Sequence, residues 1–466
     1  MNPQTKDFKK NLPRHLNNQT MRHNISKAAF NSISKTKQVS EETPEWEELR
    51  EQAHQIKRKI IDNLPENLDT FEKNARKRGI EVFRAKDAQA ALQIADEIAR
   101  KHKVKQIVKS KSMLTEEIGF NRFMIDHGYE VVETDLGEYI IQLAEETPSH
   151  LIGPALHKSR VEIAALFSEK LGIAYSEDPK VLTSAARNIL REKFFTADMG
   201  ITGANFGIVE TGNIAIVENE GNARMCATLP NVHVAFIGIE RLIPAVEDLA
   251  IFLRLLCISG TGQKFTSFVS MIDGPRKPAA FDGPETVYYI LVDNNRSTFL
   301  DDDHLKQALY CIRCGACYNT CPVYGNIGGH AYGWVYQGPI GAVITPQLLG
   351  LENAKDLPFA SSLCGSCSEV CPVKIPLHHL LLYQRNRIVK EKYTSLSENF
   401  AIKGFNAIMK SPKRILAVNK AAKFFQKLIG KKHRIPKWSN SRTVPKIPQL
   451  SFREWWKNEG EHKSKV

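Results

Sequence analysis

The segments CIRCGACYNTCP, residues 311–322, and CGSCSEVCP, residues 364–372, decide how the later part of this 466-residue chain folds. Together they hold seven of its nine cysteines, and each ends in Cys-Pro. The first has the spacing C-x2-C-x2-C-x3-C-P, with which bacterial proteins hold iron–sulfur clusters through thiolates. The pair of segments therefore predicts two iron–sulfur clusters of the [4Fe–4S] type.

The spacing also predicts how the cysteines divide between the two clusters. The x2 intervals bring the sulfurs of one turn around one cluster, and the cysteine before proline leaves that turn to reach the other cluster. The predicted ligands of the first cluster are Cys311, Cys314, Cys317 and Cys371. Those of the second cluster are Cys321, Cys364 and Cys367.

The second cluster is then one cysteine short. Aligning the second segment on its Cys-Pro end places Ser361 where a fourth cysteine would stand. Three outcomes stay open: a serine oxygen ligates the iron, water fills the position, or the site holds a [3Fe–4S] cluster. Cys226 and Cys257 lie apart from the two segments in apolar surroundings, and we interpret them as buried small hydrophobic residues.

Zinc is the alternative metal for cysteine pairs, but zinc sites usually place two C-x2-C pairs around one ion, without Cys-Pro ends.

The 42 residues between Cys321 and Cys364 are too many for a compact ferredoxin sheet. They favour an all-α ferredoxin-like iron–sulfur domain at residues 300–392.

An α/β domain is predicted upstream, at residues 80–295, because short apolar runs alternate with amphipathic stretches. Strands are predicted at 80–83, 104–108, 130–133, 206–209, 214–217, 232–237, 266–272 and 286–292. Helices are predicted at 87–102, 115–126, 160–171 and 179–191. This alternation is typical of a mostly parallel sheet covered by helices. A helical lead-in is predicted at 43–79, and the polar, basic residues 1–42 are expected to be aperiodic and mobile.

Two stretches of the α/β domain could carry chemistry. Ser110-Lys111-Ser112 lies at a strand-to-helix turn that could hold an anion. Around residues 203–212 the glycines do not form G-x-G-x-x-G, so a dinucleotide site is not indicated, and a strand pair around a tight turn is expected. If the domain were catalytic, its candidate residues would be Lys111, Asn121 and Glu210. A surface or structural role for these side chains is the alternative.

The net charge of +13 is unevenly distributed. Residues 399–453 hold fourteen Lys or Arg and no Asp or Glu. Within this basic C-terminal tail, 395–466, residues 413–432 have the pattern of an amphipathic helix with Lys420, Lys423, Lys427 and Lys431 opposite its apolar face. Contact with an acidic partner or an anionic membrane surface, a solvated tail, and a helix packed on its own protein all stay open.

The sequence holds no recognisable DNA-binding module, so nucleic acid is not an expected partner. It has no run of 18 apolar residues, and its first residues lack the apolar core of a secretory signal. Clustered thiols without such a signal favour a reducing compartment. We therefore expect a cytoplasmic protein, with contact to the inner face of the membrane as an open possibility.

Four segments together resemble the LutB/YkgF family of iron–sulfur lactate-utilization proteins, over about residues 60–466. They are SKSMLTEEIGFN at 110–121, ETGNIAIVENEGNARM at 210–225, CIRCGACYNTCPVYGNIGGHAYGWVYQGPIGAV at 311–343 and SSLCGSCSEVCPVKIPLHHLL at 361–381. The cysteine segments alone are specific for clusters but not for one family. Their combination with the two upstream segments is what is distinctive.

The resemblance implies that the α/β region is a LUD domain, similar in fold to the NagB/RpiA/CoA-transferase group. It implies an electron-transfer subunit in the oxidation of L-lactate to pyruvate, which works with a cysteine-rich CCG-motif subunit and a second LUD-domain subunit. It implies the same cysteine ligands as the spacing, including the missing fourth ligand. The alternative is a LUD domain that is itself catalytic or ligand-binding, with the clusters as its internal electron relay.

Overall fold

The computed structural model describes residues 3–150, 153–429 and 447–460. The chain forms two compact units, Met1–Ile388 and Val389–Val466. The first unit begins with a 3₁₀ turn at Thr5–Asp7 and four helices: α1 Phe8–Asn17, α2 Gln19–Glu41, α3 Trp46–Asp62 and α4 Leu64–Lys77.

The expectation that residues 1–42 are aperiodic and mobile is wrong. Helices α1 and α2 occupy most of this segment, and the side chains of Phe8, Met21 and Ile25 belong to the main hydrophobic core. Few apolar residues are available in this stretch, so its sequence alone has a weak helical pattern. Both helices are stabilised because their apolar side chains pack against the rest of the first unit.

The α/β domain follows, with strands and helices in alternation as predicted. Its elements are β1 Glu81–Ala85, α5 Ala88–Lys101, β2 Gln106–Lys109, α6 Met113–Ile118, α7 Phe120–Asp126, β3 Glu130–Glu133, α8 Leu136–Leu143, α9 Arg160–Leu171, α10 Pro179–Thr196, β4 Met199–Gly203, β5 Phe206–Ile208, β6 Ile214–Glu218, α11 Asn222–Thr228, β7 Val232–Gly238, β8 Leu242–Ile243, α12 Val246–Thr261, β9 Phe268–Ile272 and β10 Thr286–Val292. The sequence interpretation missed β4, β8, α8, α11 and α12.

Six strands form a fully parallel sheet in the order β1-β10-β7-β4-β2-β3. Side chains alternate between its faces: Tyr289 and Leu291 of β10 enter the main core, and Tyr288 and Ile290 enter a second core under α5. A smaller sheet has the order β8-β5-β6-β9. In it β5 and β6 are antiparallel, which is the strand pair expected around the turn at 209–213.

Residues 297–390 form only helices and loops. They contain 3₁₀ turns at Ser297–Phe299, Leu305–Tyr310, His330–Tyr332 and Leu357–Phe359, and helices α13 Ala316–Asn319, α14 Pro322–Ile327, α15 Gly338–Leu349, α16 Leu351–Ala354, α17 Ser366–Glu369 and α18 Leu377–Lys390. The expected fold class, an α/β domain with an all-α iron–sulfur domain, is therefore confirmed. Side chains of both regions join one hydrophobic core.

The second unit contains α19 Leu396–Met409, α20 Pro412–Ile429 and α21 Phe452–Trp455. Helix α20 occupies most of the predicted amphipathic stretch, but Lys431 and the side chain of Lys427 lie outside the described residues. In α19 the side chains of Leu396, Phe400 and Phe405 are exposed. No described helix combines the length and apolar character that crossing a membrane requires.

Candidate functional site

The two cysteine segments fold in the same way. Arg313 and Leu363, each directly before a cysteine, have φ of 62° and 57°, and the glycines after those cysteines, Gly315 and Gly365, have φ of 80° and 86°. Glycine adopts this left-handed conformation without a steric penalty. A short helix, α13 or α17, begins after each glycine. Each of the two turns thus presents a cysteine between left-handed neighbours.

The first group of cysteines surrounds one cavity. Cys311, Cys314 and Cys317 line it from one segment, and Cys371 lines it from the other. The remaining lining is mostly apolar and includes Ile340, Ile375 and Leu377. No three His, Cys, Asp or Glu side chains in the described ranges converge on a single ion. Thiolates around an apolar cavity are the donor set that an iron–sulfur cluster requires.

Burial and the neighbouring cysteines act on these thiols in the same direction. Burial, with Cys311 close by, raises the pKa of Cys371 to about 12. Burial also raises the pKa values of Cys314 and Cys317. A backbone N–H offsets part of this effect at Cys371, because Ile375 N donates to Cys371 Sγ at 3.4 Å. Arg313 N donates to Cys311 Sγ at the same distance. N–H···S bonds stabilise thiolate and tune a cluster held by it.

The second group lies nearer the surface. Cys321 and Cys367 are buried, whereas Cys364 is exposed. Burial, followed by Cys321 and Cys364, raises the pKa of Cys367 to about 11. Cys364 differs, because hydrogen bonds from Ser366 N–H and the Ser362 hydroxyl lower its pKa. The structure therefore brings together the same three cysteines that the spacing assigns to the second cluster.

Ser361 is engaged in the turn before Cys364. Its Oγ accepts a hydrogen bond from Leu363 N at 3.0 Å. The serine that hydrogen-bonds the Cys364 thiol is its neighbour, Ser362. The hydroxyls of two serines thus lie along this turn, where the sequence interpretation considered only one.

Arginines from other elements hold the cysteine loops by their backbone carbonyls. Arg50 of α3 donates to the carbonyl oxygen of Cys371 through Nε at 3.1 Å and Nη2 at 2.9 Å. Arg241 donates to Cys311 O at 3.3 Å, and Arg385 of α18 donates to Ser361 O at 3.0 Å. No local sequence pattern indicates these contacts, because each arginine is distant from its loop along the chain.

A larger cavity of about 300 Å³, which we call the strand-end cavity, lies at the carboxyl ends of the parallel strands. The segments after β2, β3 and β7 contribute Ser110, Asp135 and Glu240, and the last residue of β4 contributes Gly203. Ligands of open α/β sheets characteristically bind at this edge. The same cavity is also lined by Cys314 and Arg313 of the first cysteine segment. It therefore connects the α/β domain to the first group of cysteines.

Buried ion pairs form the wall of this cavity near Cys314. Arg296 Nη2 lies 2.6 Å from Glu117 Oε2, and its Nε lies 2.8 Å from Glu240 Oε2. Burial alone would raise the pKa of Glu240, but Arg296, Arg313 and Arg241 outweigh that effect and lower it to about 2. Glu240 is therefore ionised at neutral pH.

The structure does not bring the catalytic candidates together. Lys111 lines the cavity, with its Nζ 3.4 Å from Glu138 Oε1. Asn121 instead donates to Glu133 at 2.6 Å, and Glu210 is exposed in the β5–β6 turn. Of the three candidates only Lys111 lines the cavity, because helix α7 and the turn at 209–213 place Asn121 and Glu210 outside its lining.

Three family descriptions match successive parts of the chain. Residues 68–292 match the LUD domain, residues 307–375 match the 4Fe-4S dicluster domain, and residues 384–461 match the C-terminal region of lactate utilisation protein B. The dicluster match supports iron–sulfur clusters as the occupants of the cysteine region.

Relatives match over nearly their full length. Lactate utilization protein B of Shouchella clausii is 42% identical over 466 residues, covering 98% of both chains. Lactate utilization protein B 1 of Bacillus mycoides is 42% identical over 96% of this chain and 95% of its own. The Bacillus licheniformis protein is 41% identical, with 98% of each chain covered.

Among solved structures, a DUF162 family protein from Deinococcus radiodurans is similar to part of the chain. It is 14% identical, covers 49% of this chain and 98% of its own, and has a TM-score of 0.28. The identity to the curated relatives, over almost the entire length, is what assigns the family. The chain belongs to the lactate utilization protein B family.

Proposed function

We propose that this chain is an electron-transfer subunit that serves the oxidation of L-lactate to pyruvate and enables growth on lactate. The observation that carries the proposal is the pair of cysteine groups, one buried beside the strand-end cavity and one reaching the surface at Cys364. The names of the relatives supply the pathway.

The two groups would act as a short electron relay. Cys311, Cys314, Cys317 and Cys371 would hold the first [4Fe–4S] cluster, and Cys321, Cys364 and Cys367 the second. Lactate oxidation releases two electrons, whereas each cluster carries one at a time, so two neighbouring clusters suit the reaction. The exposed position of Cys364 suits electron exchange with a partner protein.

The proposed partners are a cysteine-rich CCG-motif subunit and a second LUD-domain subunit. We place the contact with an acidic surface on residues 399–453, since this segment has fourteen basic and no acidic residues. The exposed Phe400 and Phe405 of α19 would add apolar area. Such a contact weakens with salt, because the Debye length falls from about 10 Å at 0.1 M to about 3 Å at 1 M.

The test is anaerobic co-purification of the native complex, followed by addition of L-lactate while cluster absorbance and electron paramagnetic resonance (EPR) are recorded. We expect lactate-dependent reduction of the clusters only when the partner subunits are present. Oxidised clusters in the complete complex after lactate addition would contradict the proposal. Reduction in the isolated chain would favour the alternative, in which the LUD domain itself acts on the substrate.

A further inference from the structure

The strand-end cavity forms a passage from the protein surface to the first cysteine segment. Its mouth is formed by the exposed residues Asn219, Glu220 and Gln263. Its inner end is formed by buried residues, among them Arg296 and Cys314. A small molecule could therefore reach the neighbourhood of a cluster-binding cysteine without the fold opening.

A donor without a partner lies at the inner end. The Nη1 atom of Arg313 is buried and has no hydrogen-bond partner among the described residues. The guanidinium carbon of Arg313 lies 4.4 Å from the centroid of the Tyr336 ring, and its Nη2 lies 3.6 Å from Glu240 Oε1. Buried donors in native proteins are nearly always paired. Because Arg313 lines both this cavity and the cysteine-lined cavity, its Nη1 calls for an acceptor in one of the two.

The arginine and glutamate side chains at this end carry a net positive charge. Two carboxylates, Glu117 and Glu240, face the three guanidinium groups of Arg241, Arg296 and Arg313. Acidic residues elsewhere in the lining are compensated by backbone donors or lie at the mouth. Glu218 accepts from Ala223 N and Arg224 N at 2.7 and 2.9 Å, Asp135 accepts from Gly137 N at 2.8 Å, and Glu220 is exposed.

We propose that this cavity binds a small 2-hydroxy or 2-oxo monocarboxylate, with its carboxylate against Arg313 and Arg241 beside the first cluster. A cavity of about 300 Å³ is large enough to admit such an acid. Guanidinium groups are the preferred partners of carboxylates.

The polar lining at the strand ends, with Ser110, Ser112 and Asn222, supplies hydrogen-bonding groups for the second oxygen function of such an acid. The choice of a 2-hydroxy or 2-oxo acid rests on the proposed function. The choice of an anion rests on the arginines that line the cavity.

Binding of an anion beside the first cluster has an electrochemical consequence. The anion opposes addition of an electron to the nearby cluster, so the reduced protein binds it more weakly. By linkage, the ligand must then lower the midpoint potential of that cluster. A purely structural role for the arginines would give no such shift.

The experiment uses the iron-loaded full chain under anaerobic conditions. Sodium L-lactate and sodium pyruvate are titrated by calorimetry, with sodium acetate and inorganic phosphate as comparison anions, and the midpoint potentials of both clusters are measured with and without pyruvate. Arg241→Gln removes a cation from the inner end. Ala204→Leu fills part of the cavity without touching the arginines. Ala280→Leu, at an exposed position outside the cavity, is the matched control.

We expect saturable binding of lactate or pyruvate that is weakened at least about ten-fold by Arg241→Gln and Ala204→Leu and unchanged by Ala280→Leu. We also expect a lower potential for one cluster only. Iron content shows that each variant has kept its clusters. Absence of binding, tighter binding of phosphate, or equal binding by Ala204→Leu would overturn the inference. If the inference failed but lactate still reduced the clusters of the complete complex, the proposed function would stand without a ligand in this cavity.

Discussion

Arg296 lies at the junction of the α/β domain and the cysteine region. Its guanidinium, 2% exposed, holds two buried carboxylates, those of Glu117 and Glu240. Glu117 lies on α6 and Glu240 follows β7, while Arg296 precedes the cysteine segments. No spacing in the sequence indicates that these three residues meet.

Replacing Arg296 by methionine should therefore be costly. Two buried carboxylates would lose their main cation, and breaking such a pair costs about 3–5 kcal/mol. Urea unfolding of the iron-loaded protein measures this loss. Arg122→Met is the matched control, because Arg122 is 85% exposed and pairs with Asp126, and we expect a change of at most about 0.5 kcal/mol. A loss below about 1 kcal/mol in Arg296→Met would show that other groups compensate the carboxylates.

His233, in the central strand β7, should make stability depend on pH. Burial lowers its pKa to about 3, against about 6.5 in the unfolded chain. Its Nε2 lies 2.8 Å from Thr202 Oγ1. Because the unfolded state binds the extra proton, this contribution to stability is fully present above pH 6.5 and is lost progressively as the pH falls toward 3.

Between pH 7.5 and 5.5 the free energy of unfolding should fall by about 1.4 kcal/mol through this histidine alone. Denaturant titrations of the wild-type protein and of His233→Gln at both pH values measure the difference. Parallel pH profiles for the two proteins would mean that His233 has the same pKa in the folded and unfolded states, which would contradict the prediction.

At the scale of elements, helix α2 was not predicted from the sequence, although it packs against several other helices. It contacts α12, α13 and α14, and the last two follow cluster-region cysteines. Ser32 Oγ accepts from Asn319 at 2.9 Å, and Arg22 donates to Asn326 at 2.6 Å. Few of its side chains are buried, so the sequence shows only a weak helical periodicity. The buried face of α2 can be recognised only once the surface that it covers is known.

Ile25→Asp should loosen this docking and with it the cysteine loops. Ile25 is 2% exposed, and an unpaired charge there costs several kcal/mol, on the order of 3. We expect lower iron content and faster loss of iron to a chelator. Phe30→Asp on the same helix is the control, because Phe30 is 69% exposed. Equal rates of iron loss in the two variants would argue against a supporting role for α2.

At the scale of the whole molecule, single cysteine substitutions can test whether each cluster is held by cysteines from both segments. Cys371→Ser and Cys314→Ser should each lose the same EPR signal and about half of the iron, although the two residues come from different segments. Cys364→Ser and Cys321→Ser should both lose the other signal. If Cys371→Ser instead shared its lost signal with Cys364→Ser, each segment would serve its own cluster.

The sequence by itself determined the parts that depend on local spacing. The x2 intervals predicted the cysteine loops, the alternation of apolar runs predicted the parallel sheet, and the helices α5 and α9 follow directly from their patterns. Strand β4, with Gly200 and Gly203 among its five residues, was missed because glycine weakens a strand pattern that the neighbouring strands restore.

Only the tertiary structure decided what those parts do together. It placed Cys314 in the wall of the strand-end cavity, gathered Arg241, Arg296 and Arg313 around Glu240, and separated Asn121 and Glu210 from Lys111. The physical reason is that these contacts join residues far apart along the chain. Their partners are selected by burial and charge in a shared core, and no local pattern records that selection.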